Sequence, residues 1–452
     1  MILHSFETED RQFIEEMQLE RLKHTLDRAY RQVPFYRQKL GEDFTQLNFL
    51  EELKALPFTV KSDLRDAYPF GMLAVPRKDL ARIHASSGTS GKPTVAGYTK
   101  RDIEMWGQLA ARSIALAGGE PGMVLHNAYG YGLFTGGLGL HYGSEALGMV
   151  TVPISGGNTA RQIMLIEDFS PDVICATPSY ALNIAESMEE MGKDPRGTSL
   201  KYGIFGAEPW SGEMRRTLEE KLGIKACDIY GLSEVIGPGV GCECHEAQDG
   251  LHIAEDHFLL EIIDPATLLP LADGKEGELV FTSLTKEAFP IIRYRTGDIG
   301  TITRERCLCG RTTARMSRVK GRLDDMLIIN GVNVFPSQIE HCLLGIEELS
   351  PHYQIRIMQR GPLKMLELQV EMSESFFAEA GRNARSEAVR FLEERIAAVL
   401  KSHCLISMEV KIHTPKTIPR SEGKAVRLIK GDLSGTGVYE EIEEQEEVKD
   451  AW

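Results

Sequence analysis

Predicted helices alternate with short apolar runs between residues 100 and 280, and this alternation constrains the fold more than any other feature of the sequence. The short runs, which favour β-strands, are Met123–Asn127, Met149–Pro153, Val173–Thr177, Ile204–Gly206 and Cys227–Tyr230. Strands that alternate with helices form parallel βαβ units, so the pattern predicts an α/β domain. Because several runs end in small or polar residues, we expect ligands to bind at the carboxyl ends of these strands.

The regions on either side of this alternation predict additional elements. Apolar residues recur at three- and four-residue steps from Leu19 to Val33, which predicts an amphipathic packing helix over residues 10–40. After Asp324, alternating apolar residues near 366–372 and 406–412 predict strands, with a helix between them. The predicted segments are a large domain over 1–323, a small α+β domain over 324–434 and an acidic tail over 435–452.

Charge and hydropathy exclude several classes of protein. The net charge is −15, and the last thirteen residues hold seven acids and one lysine, so the body of the chain is only mildly acidic. The sequence has no stripe of basic residues that would indicate a nucleic acid partner. No apolar run approaches the roughly 18 residues of a membrane span, and Met1–Asp10 lacks the basic and apolar regions of a secretory leader. These patterns predict a cytoplasmic protein with no membrane partner.

A Ser/Gly-rich segment after Ile83 is a candidate phosphate-binding loop. Its residues are Ser86, Ser87, Gly88, Thr89, Ser90, Gly91 and Lys92. Backbone N–H groups, hydroxyl groups and one cation can converge there on a triphosphate. A Walker A loop is disfavoured, because Ser86 stands where that motif has glycine and Pro93 stands where it has serine or threonine. The alternative is an ordinary surface loop. Apolar runs on both sides predict that the loop joins two strands.

Further motifs occur in a characteristic order after this loop. They are Gly206–Pro209, Asp228–Glu234, Tyr294–Asp298 and Gly321–Asp325. In the order and spacing of these motifs and in its length, the chain resembles the adenylate-forming (acyl-CoA synthetase, AMP-binding) superfamily. More narrowly, the segments Ile83–Thr89, Asn127–Gly137 and Asn330–Pro336 resemble the phenylacetate–coenzyme A ligase family.

The resemblance implies a two-step ligase reaction. An acid attacks the α-phosphate of ATP to give an acyl-adenylate and pyrophosphate, and coenzyme A then displaces AMP to give a thioester. It implies ATP, Mg²⁺ and coenzyme A as requirements, and an aryl-acetic acid such as phenylacetate as the substrate. It also implies a homodimer and a mobile C-terminal domain that rotates about a hinge at Asp324.

The resemblance also assigns catalytic roles. Thr89 and Lys92 belong to the cradle for the β- and γ-phosphates. Glu234 matches the carboxylate that positions Mg²⁺, a hard cation that prefers oxygen ligands, although an acid at a helix N-terminus is the alternative. Lys424 matches the lysine that bridges the carboxylate and the α-phosphate as charge develops. Without the match, a loop lysine is usually only solvated.

The remaining ATP and AMP contacts are implied in the same way. Tyr230 would stack on adenine, and Asp298 would accept hydrogen bonds from the ribose hydroxyls, although an aspartate in a surface turn is the alternative. Arg322 would make a second ribose or phosphate contact. The other matching positions, which line the base or complete its motif, are Ala207, Glu208, Pro209, Asp228, Gly231 and Ser233.

Aromatic residues after a predicted strand suggest the pocket for the acid. Tyr129, Tyr131 and Phe134 lie among glycines, so their rings could meet an aryl group, with Ala207 and Pro238 as the opposite wall. The alternative is that these side chains only pack the core. Because this stretch has no cation for a second carboxylate, a monocarboxylic aryl acid fits best.

Two Cys-x-Cys pairs are separate from the nucleotide motifs. Cysteine and histidine are the soft ligands of tetrahedral Zn²⁺, and free cytosolic thiols are the alternative. Comparison with relatives selects as ligands Cys244, His252, Cys307 and Cys309, with Cys242 and His245 as competing ligands. With four protein ligands the zinc would be structural.

Three other functions stay open at this point. The chain could activate a different acid, load a carrier-protein thiol, or be a non-catalytic nucleotide-binding paralogue. The joint presence of Lys92, Glu234, Asp298 and Lys424 favours an active enzyme.

Overall fold

The chain forms two compact units in a computed structural model. The structure describes residues 1–41, 47–86, 93–323, 327–329, 332–360, 363–404 and 406–430. The first unit comprises Met1–Trp210, Arg215–Leu323 and Glu422–Lys424, and the second comprises Ser211–Met214 with the described residues of 327–421 and 425–430. Asp324 and the tail 435–452 lie outside the described residues, so the predicted domain boundary and hinge stay predictions.

Eight α-helices precede residue 323 in the described part of the chain. They are α1 (Arg11–Gln32), α2 (Pro34–Leu40), α3 (Lys61–Asp66), α4 (Lys100–Leu116), α5 (Gly136–Leu147), α6 (Thr159–Phe169), α7 (Pro178–Glu190) and α8 (Gly212–Leu222). The single helix predicted over 10–40 is divided, because proline restricts the residue before it and cannot donate a helical hydrogen bond. Pro34 instead occupies the first turn of α2.

Fifteen strands precede residue 323 in the described part of the chain. They are β1 (Arg82–Ser86), β2 (Thr94–Tyr98), β3 (Val124–Asn127), β4 (Val150–Val152), β5 (Val173–Ala176), β6 (Tyr202–Gly206), β7 (Lys225–Leu232), β8 (Gly237–Glu243), β9 (Leu251–Ile253), β10 (Phe258–Ile263), β11 (Gly277–Ser283), β12 (Tyr294–Gly300), β13 (Ile302–Thr303), β14 (Arg315–Met316) and β15 (Gly321–Arg322). β1 and β2 pair antiparallel from Arg82↔Tyr98 to Ser86↔Thr94. This pairing confirms that the Ser/Gly-rich loop joins two strands.

The largest sheet combines parallel and antiparallel strands. Its order is β13-β14-β9-β8-β7-β6-β5-β3-β4. The neighbours from β4 through β3, β5 and β6 to β7 are parallel, which confirms the predicted α/β architecture for this part. The chain order reverses at β3, which lies between β4 and β5. Open α/β sheets bind ligands at such a switch point, beyond the carboxyl ends of the strands.

The prediction of βαβ units as far as residue 280 is wrong after β7. β8 pairs antiparallel with β7 and β9, and β10, β11, β12 and β15 form a separate antiparallel sheet. Strands after residue 237 follow one another through short connections with no helix, and such connections permit only antiparallel neighbours. The core of the first unit includes Leu22, Tyr98, Trp106, Phe281 and Ile292.

The second unit is a small α+β structure, as predicted. Its elements are β16 (Leu327–Ile329), β17 (Val332–Val334), α9 (Pro336–Leu344), β18 (Leu349–Arg360), β19 (Leu363–Met372), α10 (Glu374–Glu379), α11 (Glu387–Cys404), β20 (Met408–His413) and β21 (Leu428–Lys430). The four-stranded sheet has the order β20-β19-β18-β21. The sequence pattern did not identify β18. Within the described residues of both units, we find no helix with the length and apolar character needed to cross a membrane.

Candidate active site

The ends of β3, β6 and β7 bring several of the predicted site residues to one edge of the sheet, and β5 ends at the same edge. Tyr129 and Tyr131 follow β3, Thr177 follows β5, Ala207 follows β6, and Glu234 follows β7. Since these strands are parallel, their carboxyl ends meet at the same edge. The sheet topology therefore places these residues near one another, which the sequence motifs alone only suggested.

Tyr230, Asp298 and Arg322 form one polar cluster. The hydroxyl group of Tyr230 donates to Asp298 Oδ2 at 2.6 Å, and Arg322 Nε lies 3.2 Å from Asp298 Oδ1. The antiparallel pairing of β12 with β15 sets Asp298 opposite Arg322. Burial, together with the Asp298 carboxylate, raises the pKa of Tyr230 well above its usual value, so the phenol stays protonated and donates.

The ring of Tyr230 already has an aromatic neighbour. It stacks on Phe281 with a centroid distance of 5.8 Å and an interplanar angle of 24°. The stacking of adenine on Tyr230 stays a prediction. Arg322, which was expected to contact ribose or phosphate, is paired with Asp298 in the structure.

The turn after β6 has a strained backbone. Ala207 has φ of 70°, in the left-handed region that is costly for a residue with a Cβ atom. Glu208 holds the turn in place by accepting a hydrogen bond of 2.8 Å from the backbone N–H group of Ser179. Ala207 and Pro209 are exposed at this edge. Residues held in unfavourable backbone conformations often occur at ligand sites.

Asp228 lies inside the sheet, beneath the exposed edge. Burial, and then the nearby Glu243 carboxylate, raises its pKa to about 8. Its backbone N–H group donates to Glu243 Oε2 at 2.8 Å, and Glu243 in turn pairs with Arg215. Asp228 is therefore buried beside a second carboxylate, and its contact with a nucleotide stays a prediction.

The segment that carries Glu234 is held from several sides. A Cβ atom on Gly231 would lie 1.7 Å from the Gly237 carbonyl oxygen, so only glycine fits at this bulge. Tyr98 donates its hydroxyl to the Ile236 carbonyl oxygen at 3.0 Å. Ser233 and Glu234 are both buried. The carboxylate is therefore carried by a rigid turn at the end of β7.

Lys286 is a residue near this turn that sequence reasoning missed. Its side chain is fully buried, and its ammonium group has no hydrogen-bond partner in the described part of the chain. Lys286 Nζ lies 4.3 Å from the centroid of the Tyr98 ring. Burial lowers its pKa to about 8, against the opposing effects of Asp102 and Glu234. The sequence offered no signal for this burial, since lysine is among the residues most often exposed.

The predicted acid-pocket residues differ in their exposure. Tyr129 is buried in a hydrophobic cluster, which favours its packing role. The Tyr131 hydroxyl accepts a hydrogen bond from Asn127 Nδ2 at 2.8 Å and lies 3.2 Å from His141 Nδ1. Tyr131 is half-buried, and Phe134 is exposed. These two rings therefore remain the better candidates for contact with a ligand.

The opposite wall is built around a tryptophan. Pro238 is half-buried, and its carbonyl oxygen accepts a hydrogen bond of 2.7 Å from Trp106 Nε1. Trp106 also packs against Tyr98 with a ring-centroid distance of 5.3 Å. This arrangement connects the predicted acid pocket to the residues beneath the Glu234 turn.

Lys424 lies at the same edge of the first unit. Thr177 Oγ1 donates to the Gly423 carbonyl oxygen at 2.8 Å, and Lys424 Nζ lies 5.3 Å from the centroid of the Phe134 ring. Ser86, the first residue of the predicted phosphate loop, is half-buried at the end of β1. The other loop residues, which include the predicted catalytic residues Thr89 and Lys92, are Ser87, Gly88, Thr89, Ser90, Gly91 and Lys92, and they lie outside the described residues.

A separate cluster joins three thiols and one imidazole. The potential ligand atoms of Cys244, His252, Cys307 and Cys309 all lie within 4.8 Å of one another. The Sγ atoms of Cys244 and Cys307 are 3.7 Å apart, and Cys309 Sγ lies 3.5 Å from His252 Nε2. The other ring nitrogen of His252 lies 3.1 Å from Thr313 Oγ1. Soft donors in this number, with an oriented imidazole, fit tetrahedral Zn²⁺.

The two competing zinc ligands lie elsewhere. Cys242 is fully buried within β8 in a hydrophobic cluster. His245 directs Nδ1 to the Leu116 carbonyl oxygen at 3.2 Å, and its ring packs against Tyr202. The structure thus groups the four residues selected by the resemblance and leaves out Cys242 and His245.

Comparison with known proteins gives concordant matches. A family model described as AMP-binding enzyme matches residues 19–285, and one described as AMP-binding enzyme C-terminal domain matches residues 331–431. The chain is 53% identical over 433 residues to the phenylacetate-coenzyme A ligase of Thermus thermophilus, covering 94% of this chain and 97% of that protein. The phenylacetate-coenzyme A ligase of Escherichia coli is 52% identical with the same coverage.

A solved structure extends this similarity to the fold. A crystal structure of 2-hydroxyisobutyryl-CoA ligase with its acyl-adenylate has a TM-score of 0.88 and 28% identity. The match covers 94% of this chain and 91% of that one. The similarity therefore spans both units and nearly the full length.

Proposed function

The chain belongs to the AMP-binding enzyme family, and we propose that it is an ATP-dependent ligase that joins phenylacetate, or a close aryl-acetic analogue, to coenzyme A. The acid is first activated as an acyl-adenylate with release of pyrophosphate. The thiol of coenzyme A then displaces AMP and forms the thioester. The observation that carries the proposal is the similarity to phenylacetate-coenzyme A ligases along almost the whole chain.

In the first step, Lys424 would hold the carboxylate and the α-phosphate together. Both reactants are anionic, so a fixed cation lowers the cost of their approach and of the charge that develops in the transition state. The position of Lys424 beside Phe134 supports this role, because Phe134 is also a candidate wall of the acid pocket. The aromatic ring and the ammonium group would then meet the two ends of one aryl-acetate.

Asp298 would hold the ribose of ATP through its hydroxyl groups. The carboxylate is oriented by the hydroxyl group of Tyr230 and by Arg322. A carboxylate that is already oriented can accept hydrogen bonds from a diol without further loss of side-chain freedom. Ala207 and Pro209 would border the adenine base.

Glu234 would hold Mg²⁺ at the end of β7. Its carboxylate provides the hard oxygen ligand that this cation prefers. When bound, Mg²⁺ neutralises charge on the triphosphate. The role of this chain is to keep the carboxylate on a rigid turn, which Gly231 and Tyr98 support.

The cluster of Cys244, His252, Cys307 and Cys309 would hold a structural Zn²⁺. Four protein ligands leave no open position for a substrate. The cluster connects the end of β8 and β9 with the 307–311 segment, so the metal would cross-link these parts of the first unit. Elemental analysis of protein purified without chelators tests this proposal, and protein without bound zinc would refute it.

The proposal also includes the finer properties implied by the resemblance. These are a homodimer and a cytoplasmic location, with small-molecule partners only. Sedimentation velocity measures the oligomeric state directly. A monomer at micromolar concentration would exclude the homodimer without affecting the proposed reaction.

Release of AMP across a panel of acids tests the function. The panel contains phenylacetate, 4-hydroxyphenylacetate, indoleacetate, benzoate, hexanoate and acetate, each with ATP, Mg²⁺ and coenzyme A. We expect the arylacetates to give the highest kcat/KM, and benzoate and acetate to be poor substrates. If no acid released AMP while ATP still bound, a carrier-protein substrate or a non-catalytic role would replace the proposal.

A further inference from the structure

Glu371 is a buried carboxylate that contacts the chain a few residues before Lys424. It lies in β19, next to the last residue of the strand, and its side chain is almost fully buried. The parallel partner of Glu371 in β20 is His413, so the chain leaves β20 beside this carboxylate. The residues after β20 then return to Glu371.

Both oxygens of Glu371 are occupied by this returning segment. Arg420 donates from Nη2 to Oε1 at 2.7 Å and from Nη1 to Oε2 at 2.9 Å. The backbone N–H group of Ile418 donates to Oε2 at 3.0 Å, and Ser350 Oγ donates to Oε1 at 3.2 Å. A bidentate Arg–carboxylate pair fixes orientation as well as distance. We call the pair of Glu371 and Arg420 the carboxylate clamp.

The clamp lies immediately before the catalytic segment. Only Ser421 and Glu422 separate Arg420 from Gly423, whose carbonyl oxygen is held by Thr177 at 2.8 Å within the first unit. The carbonyl oxygen of Glu422 also approaches Gly156 so closely that a Cβ atom there would lie 3.3 Å from it. Lys424 is therefore preceded by two ordered anchors separated by a very short linker.

We propose that the carboxylate clamp is a positioning device for Lys424 in acyl-adenylate formation. This inference rests on the proposed function. The side chain of a loop lysine has four rotatable bonds. Its ammonium group can therefore be directed to one phosphate oxygen only if the backbone that carries it is fixed. A displacement of about 1 Å can lower a reaction rate about 10²-fold. The clamp fixes the backbone of the segment before Lys424, before ATP and the acid bind.

Glu367 provides a matched control on the same strand. It lies four residues before Glu371, is equally buried, and pairs with Lys411 of β20. Gln369 Nε2 also donates to Glu367 Oε1 at 2.9 Å. No hydrogen bond joins Glu367 to residues 418–420 in the described part of the chain. Neutralising Glu367 therefore removes a similar buried ion pair without releasing the Lys424 segment.

The experiment measures the two half-reactions separately. Pyrophosphate release from ATP and phenylacetate reports adenylation, and synthetic phenylacetyl-adenylate with coenzyme A reports thioester formation. The variants are Glu371→Gln, Arg420→Lys, Glu367→Gln and Lys424→Ala. Arg420→Lys retains the charge but loses the bidentate geometry.

We expect a graded and selective effect on adenylation. Glu371→Gln should lower its rate about 10²-fold and Arg420→Lys about tenfold, while thioester formation in both stays within about threefold of the unsubstituted enzyme. Glu367→Gln should leave both rates within about threefold. Arg420→Lys also serves as the test if Glu371→Gln does not fold.

The controls separate failure of the clamp from failure of the proposed function. If Glu371→Gln or Arg420→Lys behaved like Glu367→Gln, or if either slowed both half-reactions equally, the clamp would be only structural and the inference would be wrong. If Lys424→Ala adenylated phenylacetate normally, the proposed role of Lys424 would fail, and the clamp would have nothing to position. If the unsubstituted enzyme did not release pyrophosphate with any acid, the proposed function itself would fail.

Discussion

The polar cluster around Asp298 and the thiol cluster around His252 both lie in the first unit, but they differ in exposure and in the kind of ligand that they suit. In the first, Arg322 and Tyr230 are half-buried, and both contact the carboxylate that we propose binds ribose. In the second, three of the four potential ligands are buried, and every ligand atom faces another member of the cluster. An open site of oxygen donors suits substrates, whereas a closed site of sulfur donors suits a permanent metal.

Removal of Asp298 should have the largest effect. In Asp298→Ala the ribose loses its carboxylate acceptor, and the partners Tyr230 and Arg322 lose theirs. Hydrogen bonds to charged groups contribute about 1.5–3 kcal/mol each, so we expect kcat/KM for ATP to fall about 10³-fold. Steady-state kinetics with saturating acid and coenzyme A measure this loss.

Zinc content is the control for Asp298→Ala. The two clusters share no residue, so the variant should retain the zinc that we propose for the thiol cluster. Loss of zinc in Asp298→Ala would show that the two clusters are coupled.

Cys309→Ser should give the opposite result, in which zinc and stability are lost while catalysis is retained. Loss of one thiolate should release zinc and lower the free energy of unfolding by about 4 kcal/mol, as expected when a structural metal is lost. The kcat at 25 °C should change by less than about threefold, because a zinc ion with four protein ligands has no open position for a substrate. Urea unfolding followed by tryptophan fluorescence reports mainly the first unit, which contains Trp106 and Trp210, two of the three tryptophans of the chain.

The matched control for the zinc cluster is Cys242→Ser. Cys242 is buried nearby but lies outside the cluster. It should retain zinc, and any loss of stability should not depend on the metal. If Cys242→Ser released zinc as Cys309→Ser does, our ligand assignment would be wrong.

Lys286→Met should stabilise the protein in a pH-dependent manner. Burial lowers the pKa of Lys286 from 10.5 to about 8. Between these values the unfolded chain holds a proton that the folded chain has released, so the stability contributed by this residue rises with pH. Below about pH 8 folding carries the full cost of the buried charge, up to about 3 kcal/mol.

Urea unfolding at pH 7 and pH 10 distinguishes the outcomes for Lys286→Met. The variant should be more stable than the unsubstituted protein at pH 7, and the difference should shrink at pH 10. A destabilised variant at pH 7 would mean that the ammonium group makes a favourable interaction that outweighs its burial.

Tyr230→Phe should have the smallest effect in the series. The ring that stacks on Phe281 is retained, and only the hydroxyl group that orients Asp298 is lost. We expect about a tenfold rise in KM for ATP, in line with one lost hydrogen bond to a charged group. An effect as large as that of Asp298→Ala would show that the hydroxyl group itself contacts the ligand.

The comparison also shows what sequence could and could not predict. β3 to β7 were identified because helices separate them, and the roles proposed for Asp298, Tyr230 and the four residues of the thiol cluster were suggested by resemblance to the family. The antiparallel strands after β7 were not recognised as such, because apolar runs do not reveal which strand will be the neighbour.

Glu371 and Lys286 were missed for a related reason. In β19, the alternation of Leu366, Leu368 and Val370 predicts that the residues between them face solvent. Glu367 and Glu371 are nevertheless buried, because cationic side chains from later segments cover that face. Burial that depends on residues distant in sequence has no local pattern, so only the assembled sheet reveals it.

Transfer of carboxylate oxygen to AMP tests the central claim most directly. Phenylacetate labelled with ¹⁸O in both carboxylate positions is incubated with ATP, Mg²⁺ and coenzyme A, and the products are analysed by mass spectrometry. If the acid attacks the α-phosphate, each AMP gains one ¹⁸O atom and one phenylacetyl-CoA forms with it. Unlabelled AMP, or formation of ADP in its place, would contradict the acyl-adenylate route and with it the proposed role of Lys424.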